Sequence, residues 1–356
     1  MRRLLSVCRV LACVGVATVV TAPAFAAPEV VDSDGDVGWT PRVVLDPSGE
    51  PIVSYYDRTK HDLKVATRVN GRWRVETVDD EGVVGSYSAV AIDGRGALHV
   101  VYYDETHERL KHAVRDGDGW RLDVVSEKGD VGRDVRAAVD AKGVLHVVYV
   151  DLGRPGLGHA WLDGGAWHSA VVPVEAGVRF PNLAFDAEGN PWVAFCDLAA
   201  GTVVLRLGDK DGAVERQTVN AGACAHPSLA FNEGGRAEVA FWEPVAGGVR
   251  LAELGPSGVR VDAIPGSEAA GGFTEFIRIG DARVVVFYDD DAGVLRAALR
   301  RNGAWRMETL DAEGWVGMDA AAVAASDGRV VVAYRDRGRG DLRVLSFRPF
   351  VPDGVH

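Results

Sequence analysis

The sequence predicts an all-β chain, a seven-bladed β-propeller of four-stranded antiparallel blades whose last blade is closed by the N-terminal strand. Three observations carry this. An aromatic residue stands two positions before an acidic one seven times, at intervals of 46 or 47 residues: Tyr55/Asp57, Tyr102/Asp104, Tyr149/Asp151, Phe195/Asp197, Phe241/Glu243, Phe287/Asp289 and Tyr334/Asp336. Between these marks lie short strand-like runs broken by turn residues, with no 3.6-residue helical pattern. Residues 27–356 shared among seven units give about 47 residues each, and a period of that length marks a propeller or array.

The elements follow in order. Residues 1–26 have the form of a secretory signal peptide: Arg2 and Arg3 at the start, an apolar run from Leu4 to Val20, and Ala24-Phe25-Ala26 as the cleavage site. Arg9 within the run and Pro23 after it weigh against a permanent membrane span. Val10-Leu11-Ala12-Cys13 loosely matches a lipoprotein box, but cleavage there would leave Val14 to Val20 as an apolar terminus. The expectation is a secreted or periplasmic protein with no membrane insertion after signal cleavage, its residues 27–356 forming a single propeller domain.

One unit spans residues 38–81. Val43-Val44-Leu45 begins a strand, and Asp46-Pro47-Ser48-Gly49 is a turn of the Asp/Gly type. Ile52 to Tyr56 forms the second strand, Leu63 to Val69 the third, Asn70-Gly71 a hairpin turn, and Trp73 to Val78 the fourth. The turn recurs from Asp93, Asp140 and Asp186, and a tryptophan follows the acidic mark by 16 residues at Trp73, Trp120, Trp167 and Trp305. The final unit offers only three strands, ending near Phe347. The missing one resembles Glu29-Val30-Val31-Asp32, because residues 32–38 match the inter-blade text of residues 79–85. Closure of this kind removes free sheet edges.

The aromatic column reads as packing between neighbouring blades, each ring contributing roughly 2–3 kcal/mol of burial. Seven residues after the acidic mark comes a base in five blades, Lys64, Lys111, Arg250, Arg296 and Arg343. This reads as a repeated cross-strand ion pair. Gly158 and Val204 stand where the base is missing, so Asp151 and Asp197 are candidate free carboxylates on adjacent blades. Cys8 and Cys13 leave with the signal, and the remaining Cys196 and Cys224 invite one disulfide in an oxidising compartment.

The net charge of −12 moves to −15 once residues 1–26 are removed. Nucleic acid rewards stripes of lysine and arginine, so an acidic surface argues against it. It argues equally against anionic membranes.

Function is sought where blades differ. Second-to-third loops and inter-blade loops share one face, and the latter feed the innermost strands around the channel mouth. There the sequence places Trp39, Tyr87, Arg133 and Asp134, then Arg179 and Phe180, then His226, Glu275 and Asp319. Aromatic rings can stack on sugar faces, and arginine can clamp a carboxylate. Acid–base chemistry would draw on His226, Asp134 or Glu275. No cofactor is called for: there is no Gly-x-Ser-x-Gly elbow, Walker loop or dinucleotide fingerprint. No metal site is expected either. Asp32-x-Asp34-x-Asp36 has Val37 and Val43 where a calcium loop needs glycine and glutamate, and the histidines lack metal-ligand spacing. His99 and His146 share one repeat position and read as structural.

The unit Asp-x-x-Gly … His-Val-Val-Tyr-Tyr-Asp … Leu-Lys … Trp, seen from Asp93 to Trp120, resembles the blades of secreted bacterial propellers of the sialidase-like, neuraminidase-repeat type. The Asp-box Ser-x-Asp-x-Gly-x-Thr-Trp has no match and no arginine triad can be placed, so the resemblance implies a scaffold and carries over no catalytic residue. Such scaffolds serve sugar-binding, hydrolase, lyase and protein-binding roles alike. The expectation is an extracytoplasmic binding protein that takes a carbohydrate or protein ligand at the channel mouth. The alternative is a polysaccharide lyase or glycoside hydrolase acting at the same face, and a purely structural envelope role stands third.

Overall fold

The computed structural model describes residues 26–350 except 128, 155, 175–176 and 209–212. The expected signal peptide, with Cys8 and Cys13, lies outside the described residues apart from Ala26. Seven four-stranded antiparallel sheets follow one another. The first blade contains β2 (Trp39–Leu45), β3 (Pro51–Asp57), β4 (Asp62–Val69) and β5 (Arg72–Asp79), side by side in chain order. The next five repeat this as β6–β9 (84–126), β10–β13 (131–173), β14–β17 (178–220), β18–β21 (225–263) and β22–β25 (275–311). The seventh takes β26 (Val316–Ala324), β27 (Val330–Asp336) and β28 (Asp341–Phe347), and β1 (Glu29–Asp32) supplies its outer strand. Each innermost strand packs against the innermost strand of the next blade, and β26 packs against β2, so the ring is closed.

Local sequence explains the hairpins. Asp46 accepts the backbone N–H groups of Ser48 and Glu50 through Oδ1 (2.8 and 2.9 Å), while Gly49 adopts φ 84°. Asn70 and Gly71 both lie in the left-handed region (φ 51° and 74°), which matches the right-handed twist of the flanking strands. β2 begins four residues before the expected Val43 because its first part runs along the channel mouth.

The seven aromatic marks are fully buried. They lie in clusters formed between adjacent blades: Tyr55 packs with Val331 and Val344 of the last blade, and Phe195 packs with Val148 and Val150 of the third. Where the ring is tyrosine in blades 1, 2 and 7, its hydroxyl donates to an aspartate from the preceding sheet: Tyr55 to Asp32, Tyr102 to Asp79 and Tyr334 to Asp311, each at 2.6 Å. The column therefore packs the blades and also bonds them.

The ion-pair column is present, buried in blades 1 and 7 and partly buried in blades 5 and 6. Lys64 meets Asp57 at 2.7 Å, Arg343 meets Asp336 at 2.8 Å, and Arg296 meets Asp289 at 2.9 Å. Arg250 meets Glu243 at 2.6 Å. Lys111 departs from the pattern by bonding Asp79, and Asp104 takes Arg109 and His107. Lys64 and Arg343 are at most 4% exposed, so removing one partner would strand a buried charge.

Cys196 and Cys224 are joined, with Cα atoms 5.9 Å apart. The bridge ties the end of the fourth blade's second strand to the lead-in of β18 (Ala225–Phe231). No helix among the described residues is long and apolar enough to cross a membrane.

Candidate functional site

The channel mouth is built on a backbone irregularity repeated around the ring. Along β2, Trp39 pairs with Tyr56 and Arg42 with Ser54, so three steps on the inner strand oppose two on its neighbour. The same slip occurs between Arg133 and Arg136, Arg179 and Asn182, Ala225 and Ser228, and Met318 and Ala321. It is a one-residue β-bulge, a device that re-aims side chains. The extra residue is left-handed in these five blades although none is glycine, at Thr40, Asp134, Phe180, His226 and Asp319, and Phe273 just before β22 is left-handed too; all six have φ between 46° and 54°. Each costs about 1–3 kcal/mol, and such strain collects at binding sites.

The bulges feed one cavity of about 580 Å³ at this face. Its walls have two layers. The upper contains the bulged residues, and the lower comes two positions later, as Arg42, Arg136, Asn182 and Glu275. Of the residues expected at the mouth, Trp39, Tyr87, Arg133, Asp134, Phe180, His226, Glu275 and Asp319 all line it. Arg179 is exposed and stands outside.

Asp151 and Asp197 are not free. Asp151 accepts the Arg154 backbone N–H at 2.7 Å and pairs with its guanidinium at 3.0 Å. Asp197 accepts the N–H groups of Ala199 and Ala200 and binds Arg216 at 2.6 Å. Their partners come from the loop and the outer strand, so the seven-residue spacing could not reveal them. Neither carboxylate lines the cavity.

The walls differ around the ring. Across blades 4 to 6, Phe180, His226 and Phe273 form a continuous aromatic wall, with centroids 4.0 and 4.5 Å apart. Burial, and then the Arg136 and Arg42 charges, push the His226 imidazole down to about 3, so it is neutral at ordinary pH. Nothing among the described residues hydrogen-bonds its ring. Across blades 2 and 3, Tyr87 tilts against Tyr103 at 6.4 Å and Arg133 lies over Tyr103. Trp39 is less available than expected: Arg335 covers its ring at 4.0 Å, Arg58 lies 4.7 Å away, and its Nε1 donates to Asp36.

Arg42, Arg136 and Glu275 occupy the floor. The Arg42 and Arg136 guanidiniums each donate to a carbonyl of the adjacent residue (2.8 and 3.1 Å). Among the described residues, neither has a carboxylate within ion-pairing distance. Burial, reinforced by Arg42, pushes Arg136 down to about 9, still charged at neutral pH. Burial also raises Glu275 and Asp319 above the usual carboxylate range against the pull of Arg42. Asp134 is committed to structure, since its Oδ2 accepts the Phe180 N–H across the blade boundary.

Of the lower layer the sequence reading found Glu275 and missed Arg42, Arg136 and Asn182. A signal was present: Arg42 and Arg136 lie two repeats apart.

No family profile matches the chain, and no curated protein matches it by sequence. Solved structures do. A polysaccharide lyase of family PL25, an ulvan lyase bound to -[GlcA(1-4)Rha3S]-, has TM-score 0.59 at 13% identity, covering 90% of this chain and 95% of its own. The Aleuria aurantia lectin in complex with Fucalpha1-6GlcNAc has TM-score 0.50 at 11% identity, covering 76% and 95%. A Hadza microbial sialidase, Hz136, has TM-score 0.53 at 14% identity, covering 86% of this chain and 65% of its own. At such identities these are likenesses of fold. The chain shares the seven-bladed, sialidase-like scaffold that its blade text resembles.

Proposed function

We propose that this protein binds a saccharide in the channel-mouth cavity and does not turn it over. The observation that carries the reading is the asymmetry of the cavity. Seven near-identical blades present an aromatic wall on one side, tyrosines on another and charged groups on the floor, as a single ligand requires. Saccharide-binding and saccharide-cleaving proteins among the structural neighbours support the ligand class.

Binding is favoured over lyase or hydrolase chemistry by what the expected acid–base residues do. His226 is stacked between two phenylalanines and is too weak a base near neutrality. Asp134 is engaged by a backbone N–H. Burial raises the carboxyls of Glu275 and Asp319 toward their protonated forms. The disulfide supports an oxidising, extracytoplasmic setting.

A glycan array followed by calorimetry tests this. Binding to a saccharide should weaken at least tenfold in Phe180→Ala and Phe273→Ala, with no reducing sugar or unsaturated product released. Product formation would move the assignment to the enzyme reading, and selective retention of a protein partner would replace the saccharide.

A further inference from the structure

The floor of the cavity contains two arginines that, among the described residues, have no carboxylate within ion-pairing distance. Elsewhere in this molecule, enclosed bases are paired: Lys64 with Asp57 and Asp32, Arg343 with Asp336 and Asp311, Arg278 with Glu238. Arg42 and Arg136 depart from that rule. They face one cavity from the first and third blades, and each uses one N–H on a neighbouring carbonyl. A guanidinium has five N–H donors, so most of both forks remains open, and the buried Nε of Arg42 has no partner. The two guanidiniums also lie close enough to repel each other.

Acids line the same cavity, but among the described residues none lies within ion-pairing distance of either guanidinium. Burial raises the carboxyls of Glu275 and Asp319, and Asp134 accepts the Phe180 N–H. The other two cavity arginines have acidic partners: Arg133 has Asp130 at 3.0 Å, and Arg58 has Asp36 at 3.9 Å. Neither floor arginine is thus ion-paired among the described residues, and both line the cavity that the bulged residues feed.

Resting on the saccharide reading, we propose that Arg42 and Arg136 receive the acidic group of the ligand, a carboxylate or sulfate ester, while its sugar ring lies on the Phe180–His226–Phe273 wall. A planar carboxylate or a sulfate can accept from both forks, and a charge-assisted bond in an enclosed site is about twice as strong as a neutral one. Glu275 lines the same floor, its carboxyl raised by burial, and in its protonated form it can donate to the same group. The ligand class is therefore an acidic saccharide: a uronate-containing or sulfated oligosaccharide.

The test is calorimetric titration of the purified protein with oligogalacturonate, with the same oligomer methyl-esterified to neutrality, and with a sulfated oligosaccharide beside its desulfated form. The expected result is at least tenfold tighter binding of one acidic ligand than of its neutral counterpart; which pair shows it identifies the acid. Arg42→Gln and Arg136→Gln should each abolish that preference, with near-ultraviolet circular dichroism confirming the fold. Equal affinity for acidic and neutral forms, or a preference that survives both substitutions, overturns the inference and leaves the saccharide reading intact. If no saccharide binds, that reading fails. The floor is then judged alone, by whether sulfate at matched ionic strength raises the melting temperature of the wild type more than that of the double variant. No difference overturns it.

Discussion

The Tyr55 hydroxyl donates to Asp32 Oδ2 at 2.6 Å, across the seam where the two ends of the ring meet. Tyr55 stands on the second strand of blade 1, and Asp32 ends the N-terminal strand that completes blade 7. Lys64 lies 3.3 Å from the same carboxylate and 2.7 Å from Asp57. The seam thus uses the chemistry of the boundaries before blade 2 (Tyr102, Asp79, Lys111) and blade 7 (Tyr334, Asp311, Arg343). Ring closure needed no new contact; the chain moved one strand to its beginning.

Tyr55→Phe should destabilise the fold by about 1–3 kcal/mol, because a buried carboxylate loses a donor. Tyr334→Phe should cost a similar amount, since Asp311 is left in the same position. Urea unfolding of the two variants checks this, and a near-zero effect at Tyr55 alone would mean that the seam is not closed as described.

Deleting residues 27–32 should do much more. It removes the outer strand of blade 7 together with the acceptor for Tyr55 and Lys64, exposing the edge of β28. Exposed edges pair with other chains. The expected outcome is loss of a cooperative melt and self-association on size-exclusion chromatography.

Much of the scaffold was legible because the repeat fixes it. Even the alternation of tyrosine and phenylalanine obeys a spacing rule. Twenty-three residues before Tyr55, Tyr102 and Tyr334 stand Asp32, Asp79 and Asp311, whereas before Phe195, Phe241 and Phe287 stand Val172, Thr218 and Ile264. The hydroxyl meets an acidic acceptor in three of the four tyrosine blades; Tyr149, with Ser126 at that spacing, is the exception. The missing base at Gly158 also has a physical reason: a Cβ there would lie 2.2 Å from the Tyr149 ring. The floor was harder to see, because the bulge is a backbone event. Simple alternation from Trp39 would place Pro41 and Val43 beside it, and the extra residue brings Arg42 into the cavity instead.

Reducing the bridge, or Cys224→Ser, should lower stability by about 3–4 kcal/mol in the chain-entropy account for a 28-residue separation. The loss should be seen in guanidinium unfolding with and without dithiothreitol, and the reductant should not affect Cys224→Ser.

Two stacked histidine pairs make the fold acid-sensitive. His99 Nδ1 and His112 Nε2 lie 2.9 Å apart, and His146 Nδ1 and His159 Nε2 3.0 Å. Each bond needs one ring to accept through an unprotonated nitrogen. Burial, then the neighbouring histidine, pushes His112 down to about 4 and His159 down to about 3. Asp93, Asp123 and Asp140 stand nearby at 3.6–3.7 Å but do not reverse this. An unfolded histidine takes its proton near pH 6.5, so the unfolded state binds more protons below that value. Stability should be full above about pH 6.5 and fall by about 2 kcal/mol per ring on going to pH 5. Urea midpoints at the two values test the slope, and His159→Phe should flatten it.

Binding of an acidic ligand should strengthen as pH falls from 8 toward 5. Glu275 and Asp319, raised by burial, take up protons more readily than ordinary carboxylates as the pH falls, while His226 stays uncharged throughout. Proton uptake should appear as a buffer-dependent heat of binding. Glu275→Gln should reduce both the uptake and the pH dependence.

The most direct measurement is a crystal structure of the protein with an acidic oligosaccharide that it binds. The account predicts density in the channel mouth, with a sugar ring against Phe180, His226 and Phe273 and the acidic group within hydrogen-bonding distance of Arg42 and Arg136. Density confined to the outer grooves between blades, with the channel mouth holding only solvent, would contradict it.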